Sequence, residues 1–188
     1  TEHYGRVGGD GRMDGELRLY RMRTFGQDAA LFVLDARSFR DAPLAQPDMS
    51  SASDMDRFLR DAYLPGRTLL GDAQLADLKR DLVAAKLMGI TWKIIAIPQP
   101  IQQLLIGSVS DRYEGFAAER AELLAFIHEE GIQNVVFVAA DVHSTFVNNF
   151  SNQPTYDADA DQSMTSAWEL SVGSVAASGP MGGGVAVP

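Results

Sequence analysis

Cysteine is absent from the 188 residues. Disulfides and thiolate metal sites are therefore excluded within the chain. The redox compartment stays open, because disulfide-free proteins occur on both sides of a membrane. No apolar run approaches the roughly 20 residues of a membrane-spanning helix. Thr1-Glu2-His3-Tyr4 offers neither a basic n-region nor an apolar h-region, so no signal peptide is visible. Basic residues are in the minority: 16 Lys and Arg against 25 Asp and Glu, for a net charge of −9. That balance argues against a broad nucleic-acid-binding surface. It leaves a phosphorylated substrate open, because a metal ion can supply positive charge locally.

Apolar residues make up 46% of the chain and charged residues 22%, an ordinary globular mixture. The length suits one domain with a real core, spanning 1–188 without an internal repeat. Residues 1–15 are polar and glycine-rich and read as a flexible arm. Residues 16–25 read as a half-buried strand, and the apolar run 29–34 as a central strand completing a hairpin. Residues 41–55, with Pro43 and Pro47, read as a loop insertion, followed by a short helix over 56–62. Asp72 is the expected N-cap of a helix whose stripe is Leu75, Leu78, Leu82 and Val83, with Gly89 as its stop. A strand follows at 91–97 and a loop at 101–112. Phe116, Leu123, Leu124 and Ile127 share one face of a second helix, and Gly131 ends it. The run 134–139 is a buried strand, and 144–150 continues extended. Residues 151–165 read as an exposed loop, 167–172 as a last strand and 173–188 as an irregular tail. Helices alternating with apolar strands give an α/β fold with crossover helices.

The strongest chemical feature is Asp141-Val142-His143, directly after the buried strand. At extended spacing a carboxylate and an imidazole two residues apart point the same way. Both then reach the carboxyl edge of the sheet, where open α/β folds place ligands. That pair suits zinc, iron or manganese; a carboxylate alone suits calcium or magnesium. The competing reading is a turn-capping Asp beside an ordinary histidine. His128, followed by two glutamates, reads as a solvated helix residue, and His3 as incidental. Arg37 and Arg40 follow the strand 29–34 and are candidates for holding a phosphate, since guanidinium forks match its geometry. The alternative is that Asp35 and Arg37 anchor their loop. Asp111 opens the second helix, as a cap or as support for the site. Ser144 and Thr145 have no acid–base partners for nucleophilic catalysis, and Asn149-Phe150-Ser151 matches the glycosylation pattern by chance.

Taken in order, these segments resemble PhoD-like (alkaline phosphatase D) metallophosphatases. The resemblance rests on Arg23 to Gly26, Asp35 to Arg40, Leu70-Gly71 with Gln74, Thr91-Trp92-Lys93, Asp111 to Phe116 with Glu119-Arg120, Asn134 to Ser144, and Trp168-Glu169-Leu170. It implies half of a four-layer α/β/β/α, calcineurin-like sandwich with a mixed sheet. It also implies hydrolysis of phosphoric esters of the phosphatase or phosphodiesterase type, at a dinuclear site to which Asp141 and His143 contribute. The implied metals are iron and calcium, with zinc or manganese as alternatives. The implied setting is secreted or periplasmic. Two departures stand out. Ala140 occupies a position where the family has glycine, and the family's N-terminal ligand-bearing motifs are missing. Two ligands cannot hold two metals. The expectation is therefore a C-terminal part whose remaining ligands come from the N-terminal half of the domain, or from another copy covering an otherwise bare sheet face. The competing expectation is an inactive fragment or interaction domain that keeps the phosphatase fold.

Overall fold

The computed structural model describes residues 19–151 and 164–173. The arm over 1–15 and most of the segments 151–165 and 173–188 lie outside the described residues. Among the described residues, six strands form one mixed sheet in the order β1-β2-β3-β4-β6-β5. They are β1 (Arg21–Phe25), β2 (Ala29–Val33), β3 (Trp92–Ala96), β4 (Val135–Ala139), β5 (Phe146–Ser151) and β6 (Met164–Ser171). β2, β3, β4 and β6 run parallel, and β1 and β5 are antiparallel edges. Three helices connect the parallel strands: α1 (Ala52–Ala62) and α2 (Asp72–Leu87) between β2 and β3, and α3 (Ala117–Glu129) between β3 and β4. A 3-10 turn, Tyr113–Phe116, leads into α3. No described helix is long and apolar enough to cross a membrane.

Three elements depart from the sequence expectation. α1 begins inside the supposed insertion, because the Ser51 side chain caps it by accepting from the Asp54 N–H. Asp72 is the first helical residue of α2 rather than its cap; the cap is Gly71, at φ +81°. β6 starts at Met164, earlier than the apolar pattern shows, because its outer residues pair with β5.

The core lies on one face of the sheet. Ala30, Phe32, Ile95, Val135, Phe137 and Ala167 point into it and meet Leu78 and Leu82 of α2 and Leu123, Leu124 and Ile127 of α3. Strand alternation puts the intervening residues on the other face. Two rows cross it in register: Leu31, Ile94, Val136 and Trp168, then Val33, Ala96, Val138, Leu170 and Val147. The face is apolar across these inner strands, with Arg21, Arg23 and Asn149 continuing the rows at its edges, and no described element covers it. Trp92 and Trp168 are each 48% exposed and Val147 is 59% exposed. An apolar patch of this breadth is unusual on a free protein surface.

Candidate metal and phosphate site

β4 lies between two parallel neighbours, so its exit is central at the carboxyl edge of the sheet. Asp141 and His143 occupy that exit, but not in extended geometry. Asp141 has φ +75° and His143 φ +54°, and the Val142 N–H donates to the Ala140 carbonyl at 3.0 Å. Strand alternation therefore does not orient these two side chains. The chain must reverse between β4 and β5, and a tight turn does so. Asp and His are among the non-glycine residues enriched in the left-handed region. Such backbone costs about 1–3 kcal/mol per residue and clusters at functional sites. Val142 is 5% exposed and plugs the turn into the core, while Asp141 and His143 stay exposed on either side. Ala140 is exposed and keeps a negative φ, so its methyl does not crowd the turn.

The exit of β6 braces this turn. The Val172 N–H donates to the Ala139 carbonyl at 2.9 Å, and the Gly173 N–H to Thr145 Oγ1 at 3.2 Å. A Cβ on Gly173 would sit 3.2 Å from the backbone of Ser144, so only glycine approaches this closely without a shift. Thr145 thus has a structural contact. His128 lies exposed in the last turn of α3. Among the described residues, no cluster of three or more His, Asp or Glu side chains is placed to hold a metal ion. The donor chemistry of Asp141 and His143 fits a borderline metal, as two members of a larger ligand set.

The β2 exit lies on the same edge. Strand spacing puts it about 10 Å from the β4 exit. Asp35 Oδ1 accepts from the N–H groups of Arg37 and Ser38, at 2.9 and 3.0 Å. Gln74 brackets Asp35, accepting from its N–H and donating to its carbonyl, both at 2.8 Å. Asp35 therefore does anchor its loop. Arg37 and Arg40 turn elsewhere, and both bond the carboxylate of Asp111, Arg37 Nη1 at 2.8 Å from Oδ2. Burial pushes the Asp111 carboxyl up, but hydrogen bonds and charge from the two arginines outweigh this and hold it below the ordinary range. The structure brings together three residues that the sequence had placed in two separate segments.

Residues 98–112 form the rim between these two exits. A set of buried charges ties the rim down. Glu169, fully buried in β6, accepts from the N–H groups of Ile101 and Gln102 at 2.9 and 3.0 Å. Arg120 Nε donates to the Ile101 carbonyl at 2.6 Å. Glu114 Oε1 accepts from the N–H groups of Leu104 and Leu105, at 3.1 and 3.2 Å, and from Arg112 Nη2 at 3.1 Å. Burial raises the pKa of Glu114 and Glu169 and lowers that of Arg120. Gln46 bonds the rim from outside, accepting from Val109 and Ser110 and donating to Gly107. In sequence Arg112, Glu114, Arg120 and Glu169 figured only within motifs, and Gln46 only within the loop 41–55. The available signal was a charge inside an apolar strand, as in Glu169 of 167–172.

Comparison with known proteins supplies the context for these residues. The family model described as "PhoD-like phosphatase" matches residues 7–185. Alkaline phosphatase D of Bacillus subtilis (strain 168) is 29% identical over 143 residues, covering 71% of this chain and 22% of its own length. A solved structure described as "Structure of PhoD" superimposes with a TM-score of 0.65 at 26% identity, over 85% of this chain and 29% of that one. The chain thus spans less than a third of the relatives it matches.

Proposed function

The chain belongs to the PhoD-like phosphatase family, and on that premise we propose that it forms part of a metal-dependent phosphoric ester hydrolase. Asp141 and His143 are metal ligands in this reading, and Arg37 and Arg40 hold phosphoryl oxygens. The observation that carries it is the Asp141–His143 turn. Two donors of metal-binding chemistry stand exposed, on left-handed backbone, at the exit of the central strand. Iron with calcium is the proposed metal pair, with zinc or manganese as alternatives. Bound metals in such a site activate a water and polarise the phosphoryl oxygens. The contribution of this chain is to aim two ligands from a braced turn and to present guanidinium donors across the same edge.

The bare apolar sheet face supports the view that more protein completes the site. A second sheet layer, from the N-terminal half of the same domain or from another copy, would cover Leu31, Ile94, Val136 and Trp168 and bring the remaining ligands. The test uses the complete protein, with metals supplied, on p-nitrophenyl phosphate and its bis ester. His143→Ala is expected to lose bound metal and most activity toward whichever ester is cleaved. Unchanged activity together with unchanged metal content would sink the proposal.

A second reading is an interaction domain that keeps the phosphatase fold. The ligand shortage among the described residues favours it. Stoichiometric metal in the purified complete protein excludes it.

A further inference from the structure

Asp111 is where two arginines from another segment converge. Arg37 and Arg40 each reach its carboxylate through Nη1. Arg40 Nη1 also lies 3.4 Å from the Asp111 carbonyl, and Gln99 Nε2 donates to that carbonyl at 2.6 Å. The Asp111 backbone is thereby fixed beside its carboxylate, and each guanidinium is held through one nitrogen. A guanidinium carries five N–H donors. Among the described residues, neither arginine directs Nε or Nη2 at a protein acceptor. Two planar donor edges are left over, with net charge of one positive unit, in a chain of net charge −9. The arginine side chains are 48% and 20% exposed, so a ligand can reach them.

Anchoring alone does not account for this arrangement. The Arg37–Arg40 loop is already fixed by the Asp35 cap, the Gln74 bracket and the buried Phe39. The rim that carries Asp111 is already fixed by Glu169, Glu114, Arg120 and Gln46. Half-exposed ion pairs add little stability to loops so held. They do set direction, because a guanidinium clamped at Nη1 has its other edge aimed.

We propose that Asp111 is a positioning residue that clamps Arg37 and Arg40 so that their Nε and Nη2 edges together grip a tetrahedral oxyanion, the phosphoryl group of substrate or free phosphate. This rests on the reading of Arg37 and Arg40 as phosphate ligands and assigns the group that makes them a pair. The experiment compares wild type, Asp111→Asn, Arg37→Ala and Arg40→Ala in the complete protein. It measures kcat and KM on the cleaved ester, competitive inhibition by inorganic phosphate, and thermal unfolding. Asp111→Asn is expected to raise KM and weaken phosphate inhibition by roughly tenfold, the worth of one charge-assisted hydrogen bond. Its kcat stays within about twofold and its unfolding temperature close to wild type. Lowered stability with unchanged phosphate inhibition would make Asp111 a tether and overturn the proposal. Tighter phosphate binding would make it a competitor for the arginines and overturn it equally. If both arginine variants also keep wild-type KM and phosphate inhibition, the arginine reading itself fails. Impaired arginine variants beside an unaffected Asp111→Asn refute the clamp alone.

Discussion

Glu169→Ala should loosen the rim from beneath, at a cost large enough to measure. The side chain is fully buried, and both carboxylate oxygens are used, one on the Ile101 N–H and one on the Gln102 N–H. Its charge also faces Arg120, which is 3% exposed. Truncation leaves two N–H groups without their acceptor, each costing about 1–3 kcal/mol where buried. It also strips a buried guanidinium of a neighbouring opposite charge, and breaking buried pairs costs roughly 3–5 kcal/mol. The two effects overlap, so a loss of about 4 kcal/mol is expected. Glu169→Gln keeps one acceptor oxygen and the shape, and should lose about half as much. Urea unfolding of the complete protein reads the stability, with an unchanged slope marking an unchanged native surface. Amide exchange reads the local effect: Ile101 and Gln102 should exchange faster than the β4 amides do. Because the rim carries Asp111, KM for the phosphoric ester should rise as well. A loss below about 1 kcal/mol, with Ile101 and Gln102 still protected, would show that Glu169 does not hold the rim.

Further outcomes follow from the same geometry. Burial raises the Glu119 carboxyl to about 7 from 4.5, against the donors Thr68, Leu70, Leu69 and Tyr113. The folded state therefore holds an extra proton between those values. Its contribution is complete below pH 4.5 and is lost as pH rises through 7, up to roughly 3 kcal/mol. Thermal unfolding between pH 5 and 8 should show that slope in wild type and a flatter one in Glu119→Gln; equal slopes reject the assignment. Gly115→Ala would place a Cβ 2.5 Å from the Ser110 carbonyl oxygen. It should destabilise by roughly 1–3 kcal/mol, and an unshifted thermal midpoint would contradict the close approach.

Local periodicity carried the elements that make their own case. The Leu75, Leu78, Leu82 stripe is buried as its spacing predicts, and the uninterrupted runs at 29–34 and 134–139 are central parallel strands. Gly89 and Gly131 end their helices at φ +72° and +59°, conformations other residues seldom adopt. Composition and these runs sufficed for an α/β fold. The helix over 56–62 was legible, but the first turn of α1 was hidden because its cap, Ser51, is one of several serines in a polar, proline-flanked stretch. Asp141 and His143 were visible as residues but not as a left-handed turn, since the reversal is demanded by where β5 and β6 lie.

Asp141, His143, Arg37 and Arg40 stand out in the sequence as candidate metal and phosphate ligands, from residue type and from their place after apolar runs. Tertiary structure alone decided that Arg37 and Arg40 meet Asp111, 74 and 71 residues away, and that Glu169 caps amides 68 and 67 residues back. It also decided that, among the described residues, one face of the sheet is covered by helices and the other is not. The physical reason is common to all three. Hydrophobic periodicity is a property of neighbours along the chain, whereas a salt bridge, a buried cap or a covered face depends on which distant segments the sheet order brings together.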